Sequence, residues 1–268
     1  HARLIYEQVA DGLADPKGEA GKVLGDRLKD LQSLGNCFEA LFAARTRRGA
    51  IDFEGSETRI IFSDERKIEA IVPVQRTRAH RMVEECMIAA NRCAARFLAE
   101  REGSGPFVTH PGFRADRLEE CRKFLALHAP EVAELDPTSR EGYRDIMRRL
   151  AASENQLPLR AMINRLLTRA ELSTRAGLHM GMALECYTNC TSPLRKYVDF
   201  LVHLQIKALL RGEPAQQVSG AELSALKERL GNVRAATQEA ERWLASKYLA
   251  RVAADRSEGF SGRIVHIN

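Results

Sequence analysis

The chain has 268 residues, 44% of them apolar, and 41 basic against 36 acidic residues give a net charge of +5. That is enough length and apolar content for one large core or two small ones, while the charge balance alone is too even to mark a nucleic-acid binder. The absence of any run of eighteen apolar residues, and of a signal-peptide pattern, argues against membrane insertion and secretion and predicts a cytoplasmic protein. Six cysteines (Cys37, Cys86, Cys93, Cys121, Cys186, Cys190) form no CxxC pair and accompany no histidine cluster at zinc spacing, so they read as reduced, mostly buried thiols.

The first residues, HARLIYEQVADGL, alternate and then turn helical without a start signal, so the chain reads as cut from a longer one. Tyr6, beside Leu4, Ile5 and Val9, reads from the pattern as a core aromatic. Asp15-Pro16-Lys17-Gly18 breaks the chain. Residues 19–48 then predict one helix with Val23, Leu24, Leu28, Leu31, Leu34, Phe38 and Leu41 on its apolar side, closed by Arg45, Arg47 and Arg48 ahead of Gly49. Residues 50–53, 58–62 and 68–72 read as strands of a small antiparallel sheet, with a turn at 63–66. The face taken by Phe53 stays open between core and exposed platform.

Residues 77–102 predict a strong helix with Val83, Met87, Ala90, Ala94 and Phe97 on its buried side. Glu84 and Glu85 point about 100° apart on such a helix, so one of them flanks the buried side. A glycine- and proline-rich loop with a short strand follows at 103–113, where His110 reads as a structural hydrogen-bonding residue. Residues 114–129, 137–150 and 159–172 predict further helices.

In the stretch 186–210, CYTNCTSPLRKYVDFLVHLQIKALL, Ser192 reads as an N-cap with Pro193 at the first helical position, and apolar residues at 194, 198, 201, 206 and 209 carry the helix onward. Arg195 and Lys196 then fall in the first turn, where free backbone N–H groups and the positive end of the helix dipole join them. That combination points to an anion site, phosphate first, with solvated surface charges as the alternative. Gly212-Glu213-Pro214 ends the segment, and residues 221–254 predict a long amphipathic helix holding the single tryptophan, Trp243.

Thr191-Ser192-Pro193-Leu194-Arg195-Lys196-Tyr197 resembles the TSPIRRY/TSPIRKY signature of the ribonuclease II and ribonuclease R (RNB) family of processive 3′-to-5′ exoribonucleases, closest to the ribonuclease II branch. The flank His179-Met180-Gly181-Met182-Ala183-Leu184, then Tyr187, Asp199 and His203, fits the same pattern. So do ARLIYEQV, RGAIDF and RMVEECMIAANRCAARFL, in the same order and at similar spacing.

The resemblance implies an α+β, predominantly helical fold, with a small antiparallel sheet and helices around an RNA channel. Residues 1–256 would be the C-terminal portion of the catalytic domain, and residues 257–268, including GFSGRIVHIN, the start of an OB-fold barrel. It also implies single-stranded RNA as partner, a monomer, and hydrolysis to nucleoside 5′-monophosphates.

On the same ground Arg195 would clamp the scissile phosphate and Lys196 the adjacent one, with Thr191 and Ser192 against the substrate. Tyr6 would lie along the 3′-terminal nucleotides, Phe53 would stack on a base, and Glu84 would read a ribose 2′-hydroxyl. Arg148, Arg149, Arg160, Arg165 and Arg169 would line an outer RNA path or form an ordinary charged face. Thr237 stands where the family usually carries a glutamate, with Glu239 and Glu241 a turn away.

The family's magnesium is attributed to an aspartate cluster spaced roughly DxxxxxDxDD, which this sequence lacks: Asp52, Asp64, Asp116, Asp145, Asp199 and Asp255 stand alone. The expectation is therefore magnesium with ligands outside this chain. A non-catalytic RNA-binding module is the second reading and a helical interaction scaffold the third.

Overall fold

The computed structural model describes residues 3–50, 58–101, 105–152, 162, 163, 165–214 and 217–254. Eight helices and four strands follow in these residues: α1 (Tyr6–Ala14), α2 (Glu19–Leu24), α3 (Arg27–Arg48), β1 (Thr58–Phe62), β2 (Ile68–Pro73), α4 (Arg78–Ala99), β3 (Phe107–Thr109), α5 (Leu118–His128), α6 (Arg140–Ala151), β4 (Glu171–Ser173), α7 (Tyr197–Leu210) and α8 (Gly220–Ala254). The architecture is the predominantly helical α+β fold expected from the sequence. The predicted strand at 50–53, with Phe53, and the barrel segment at 257–268 lie outside the described residues.

The β1–β2 hairpin is antiparallel, with Ile60 opposite Ile71, and turns at 63–66 as the sequence predicts. A second sheet was not anticipated: β3 pairs with β4, Val108 opposite Leu172. The helix expected at 159–172 is confined, among the described residues, to 162 and 163, because Leu167 bridges to Phe113 and the chain then extends into β4. The helix expected at 19–48 is two helices, since Gly25 takes φ 54° at the end of α2 and the chain must restart at Arg27. Its predicted end holds: Gly49 is left-handed (φ 79°) and its N–H closes on Arg45 and Thr46 carbonyls.

Four clusters build the core. Tyr143, Ile146, Met147 and Leu150 of α6 pack on Cys121 and Leu125 of α5. Ala94, Ala95 and Leu98 of α4 meet Phe107 and Val202 of α7, and Ile88, Val108, Leu184 and Tyr187 continue that contact. Val9, Leu24 and Ala79 join α1, α2 and α4.

On α4 the predicted stripe holds only at its C-terminal end, where Ala94 is buried and Phe97 packs against the same cluster; Val83, Met87 and Ala90 are exposed, and Met82, Glu85, Ile88, Asn91, Ala95 and Leu98 are buried instead. Hydropathy fails there because two inward residues are polar and partnered: Glu85 accepts from Arg45 at 2.5 Å and Asn91 donates to the Tyr187 hydroxyl at 2.8 Å. Helix α8 extends as predicted, yet among its described residues only Leu223 is buried, and Leu230, Val233, Trp243 and Leu249 stay exposed.

All six cysteines are free, but only Cys121 is fully buried; Cys37 and Cys93 are exposed, against the expectation of mostly buried thiols. Burial pushes the Cys121 thiol up to about 11.

His110 and His179 stack with ring centroids 5.4 Å apart, and the edge of Tyr187 meets His179 at 5.7 Å. Burial, then the neighbouring His110, pulls His179 down to about 4, and burial lowers His110 as well. Both rings are thus neutral in the fold, while in the unfolded chain they take up protons near pH 6.5. The unfolded state binds more protons below that pH, so stability is present above it and is lost as pH falls from about 6.5 toward 4. We expect the urea midpoint to drop over that window, by on the order of 2 kcal/mol in stability. His179→Asn, which keeps an acceptor for the Met182 N–H, should flatten the drop; an equal drop in the variant would exclude His179 as its source.

Candidate RNA-binding and phosphate-clamp site

The helix carrying the central motif begins at Tyr197, not at Ser192 or Pro193. Arg195 and Lys196 N–H groups both close on the Ser192 carbonyl, at 3.2 and 3.0 Å, making one tight turn. Lys196 is then extended (φ −122°, ψ 113°) and is itself the N-cap residue. Arg195 and Lys196 therefore stand ahead of the helix rather than in its first turn, and the helix dipole is met instead by Asp199. Ser192 and Pro193 carry the local signal of a helix start, but the competing bond from the Ser192 N–H to Asp199 Oδ2, at 2.8 Å, folds Ser192 outside the helix.

Both cations are exposed on this turn, without a side-chain partner among the described residues. Behind them the strand of chain at 187–192 is fixed tightly. The Cys190 N–H donates to Asn91 Oδ1 at 2.8 Å, and the Cys190 carbonyl accepts from His203 Nε2 at 2.7 Å. Thr188 donates to the Pro106 carbonyl at 2.5 Å. Residues 190 and 192, on either side of Thr191, thus have both backbone groups engaged: Asn91 of α4 and His203 of α7 hold those of Cys190, Asp199, one turn before His203, holds the Ser192 N–H, and the Ser192 carbonyl accepts from the Arg195 and Lys196 N–H groups. Asp199 is 1% exposed. Neither Asn91 nor this role of Asp199 and His203 was foreseen; a polar residue on a buried helix stripe, as at Asn91, was the available signal.

His203 must carry its proton on Nε2, since a carbonyl only accepts. We expect His203→Ala to lower turnover by about tenfold or more through loss of this anchor, and His203→Gln, whose amide can still donate, to recover most of it. Equal activity in all three proteins would remove the anchor from the account.

Helix α4 lines up the other predicted residues. His80, Glu84 and Asn91 fall at i, i+4 and i+11, within about 40° on one face and over about 16 Å of axis. Tyr6, at the start of α1, is 43% exposed and stacks on His80 with centroids 3.9 Å apart, so the core reading of Tyr6 does not hold. Glu84 is part-exposed, with Arg76 at 3.7 Å and Arg45 at 3.8 Å, and Glu85 is the inward member of the pair. Tyr6, Glu84 and the Asn91-anchored strap carrying Thr191, Ser192, Arg195 and Lys196 therefore follow one another along α4.

The remaining candidates lie apart from this line. Arg148 and Arg149 are ion-paired, to Asp145 at 3.6 Å and to Glu131, as an ordinary charged face requires. Arg165 and Arg169 line a cleft of about 820 Å³ with Arg114, Arg117 and Phe124. Arg160 is outside the described residues. Thr237 is exposed and donates to its own helix at the Val233 carbonyl, and Glu241 borders β1 through a cleft with Arg59 and Ile60. Among the described residues no three histidine, cysteine, aspartate or glutamate side chains are grouped to hold a metal, so these residues do not fit a magnesium centre. No described helix is long and apolar enough to cross a membrane.

The family model for the RNB domain matches residues 1–212. The chain belongs to the RNB domain family. Ribonuclease R of Vibrio parahaemolyticus is 31% identical over 278 residues, covering 97% of this chain and 33% of that protein. Exoribonuclease 2 of Erwinia tasmaniensis is 30% identical over 269 residues, covering 100% of this chain and 41% of that protein. The chain thus spans about a third to two fifths of the length of these curated relatives. Among solved structures, Mycoplasma genitalium RNase R in complex with ribose methylated single-stranded RNA is similar at a TM-score of 0.62 and 20% identity, covering 90% of this RNB chain and 37% of that one. Yeast Ssd1, a pseudonuclease, is similar at 0.54 and 16%, covering 83% and 26%.

Proposed function

We propose that this RNB chain is part of an exoribonuclease that shortens single-stranded RNA from its 3′ end, processively, releasing nucleoside 5′-monophosphates. The observation that carries the reading is the exposed Arg195–Lys196 turn, hung on Ser192 and Asp199, at one end of a line that continues through Glu84 to Tyr6. Relatives named Ribonuclease R and Exoribonuclease 2 support it over nearly the whole chain.

In this reading the Arg195 guanidinium, planar and always charged, takes the scissile phosphate through two parallel N–H groups and offsets charge growing on its non-bridging oxygens. Lys196 holds the adjacent phosphate as a point charge. Glu84 accepts a hydrogen bond from a ribose 2′-hydroxyl, the group DNA lacks, and Tyr6 supplies a ring face to a base. Magnesium is part of the proposal, with ligands outside the described residues.

Glu84→Ala should narrow the gap between RNA and DNA binding by about tenfold, the loss of one hydrogen bond to a charged acceptor, measured with matched oligonucleotides. An unchanged gap would remove Glu84 from ribose reading. The fold also accommodates a pseudonuclease, so the reaction itself is the test: the full-length protein with uniformly labelled RNA should release nucleoside 5′-monophosphates when magnesium is supplied. Tight RNA binding without that release would favour a non-catalytic RNA-binding module.

A further inference from the structure

A second basic centre lies where α3, α4 and α6 converge on the turn that precedes the strap. The Arg48 Nε donates to the Met182 carbonyl at 3.4 Å and the Arg140 Nη2 donates to the next carbonyl, Ala183, at 2.9 Å. Two guanidiniums from two helices are thus parked on consecutive carbonyls of one short turn (Met180–Met182). Ala183 is left-handed (φ 51°, ψ 43°), a conformation that costs a residue with a Cβ about 1 kcal/mol or more. Strain held in place by two half-buried arginines at a largely buried turn is a feature that a purely solvated charge pair does not require.

Arg45, one turn before Arg48 on α3, is committed to the buried Glu85. Arg92, exposed, follows Glu85 by seven residues, two turns along the same face of α4. Burial and then the charges of Arg92, Arg45 and Arg140 hold the Arg48 guanidinium below its ordinary value, against the pull of Glu85. Crowded like charges of this kind are relieved by a bound anion. Arg48 and Arg140 each use one N–H on a carbonyl, out of the five that a guanidinium carries, so planar forks remain for a phosphate.

We propose that Arg48 and Arg140, with Arg92 beside them, form a second phosphate subsite that takes a backbone phosphate of the bound RNA away from the Arg195 turn. The segment 183–196 runs from this subsite to Arg195, and Arg92 adjoins the strap anchor Asn91 in sequence. The subsite rests on the RNA-binding reading and adds a contact that positions the strand rather than reacts with it.

The test uses the full-length protein and a single-stranded RNA oligonucleotide, bound in the presence of a chelator over a range of salt concentrations. Arg48→Gln and Arg140→Gln keep a donor for the Met182 and Ala183 carbonyls. Each should lower the slope of log affinity against log salt by about 0.7, the value for one single-strand phosphate contact, and weaken binding severalfold. The loss should fall on KM for RNA more than on kcat. Arg48→Lys should restore much of the slope. An unchanged slope, or a loss of turnover without a change of slope, overturns the subsite and leaves the two arginines as props of the 180–183 turn. A parent protein that binds no RNA overturns the functional reading and the subsite together, which a normal parent with unchanged variants does not.

Discussion

Arg195→Ala in the full-length protein is expected to lower turnover by about 10²- to 10³-fold while changing RNA affinity by less than about threefold, the size reported by loss of one preorganised donor to developing charge. Arg195 is exposed and carries no side-chain bond within the described residues, so its removal leaves the fold intact. Its backbone N–H and that of Lys196 still close on Ser192, and Ser192 is still held by Asp199. The variant therefore subtracts a guanidinium from an unchanged turn. Arg195→Lys should recover only part of the rate, because a point charge cannot match two phosphate oxygens with a planar fork. Single-turnover rates beside binding titrations separate the two quantities. Equal losses in rate and affinity would show that Arg195 binds substrate and transition state alike and is not a clamp for the reacting phosphate.

Arg45→Ala should be strongly destabilising. Glu85 is 4% exposed, and Arg45 is its bonded partner at 2.5 Å. Deleting the arginine leaves a buried carboxylate without its bonded partner, a loss that typically costs about 3–5 kcal/mol. At this chain length that corresponds to a fall in Tm on the order of 10 °C. Replacing both, Arg45→Met with Glu85→Leu, should be much milder, since an apolar pair of similar volume removes the desolvation cost along with the attraction. A double variant as unstable as Arg45→Ala would contradict this assignment and place the cost in lost packing.

Most helices and the first hairpin are legible because their signals are local: apolar spacing, Gly49 beyond α3, the turn at 63–66. What escaped the sequence depended on partners far along the chain. The inward face of α4 is set by Arg45, 40 residues before Glu85, and by Tyr187, 96 residues after Asn91. The β3–β4 pair joins residues 107–109 to 171–173, and that distant pairing converts a segment with helical spacing into a strand. At the site, Tyr6 and Glu84 could be named from the resemblance, and α4 brings them into line. The start of α7 could not be read, because Ser192 and Pro193 satisfy every local rule for a helix start. Asp199, seven residues later, withdraws Ser192 into a turn. Asn91 and His203 act through backbone groups of Cys190, a kind of contact that side-chain identity alone does not announce.

The most direct measurement is a gel of a 5′-labelled single-stranded RNA and its DNA counterpart incubated with the full-length protein, with and without magnesium. Stepwise shortening of the RNA from its 3′ end, only with magnesium and with the DNA left intact, is the predicted result. RNA that stays full length while bound, or DNA shortened as fast as RNA, would contradict the proposed exoribonuclease.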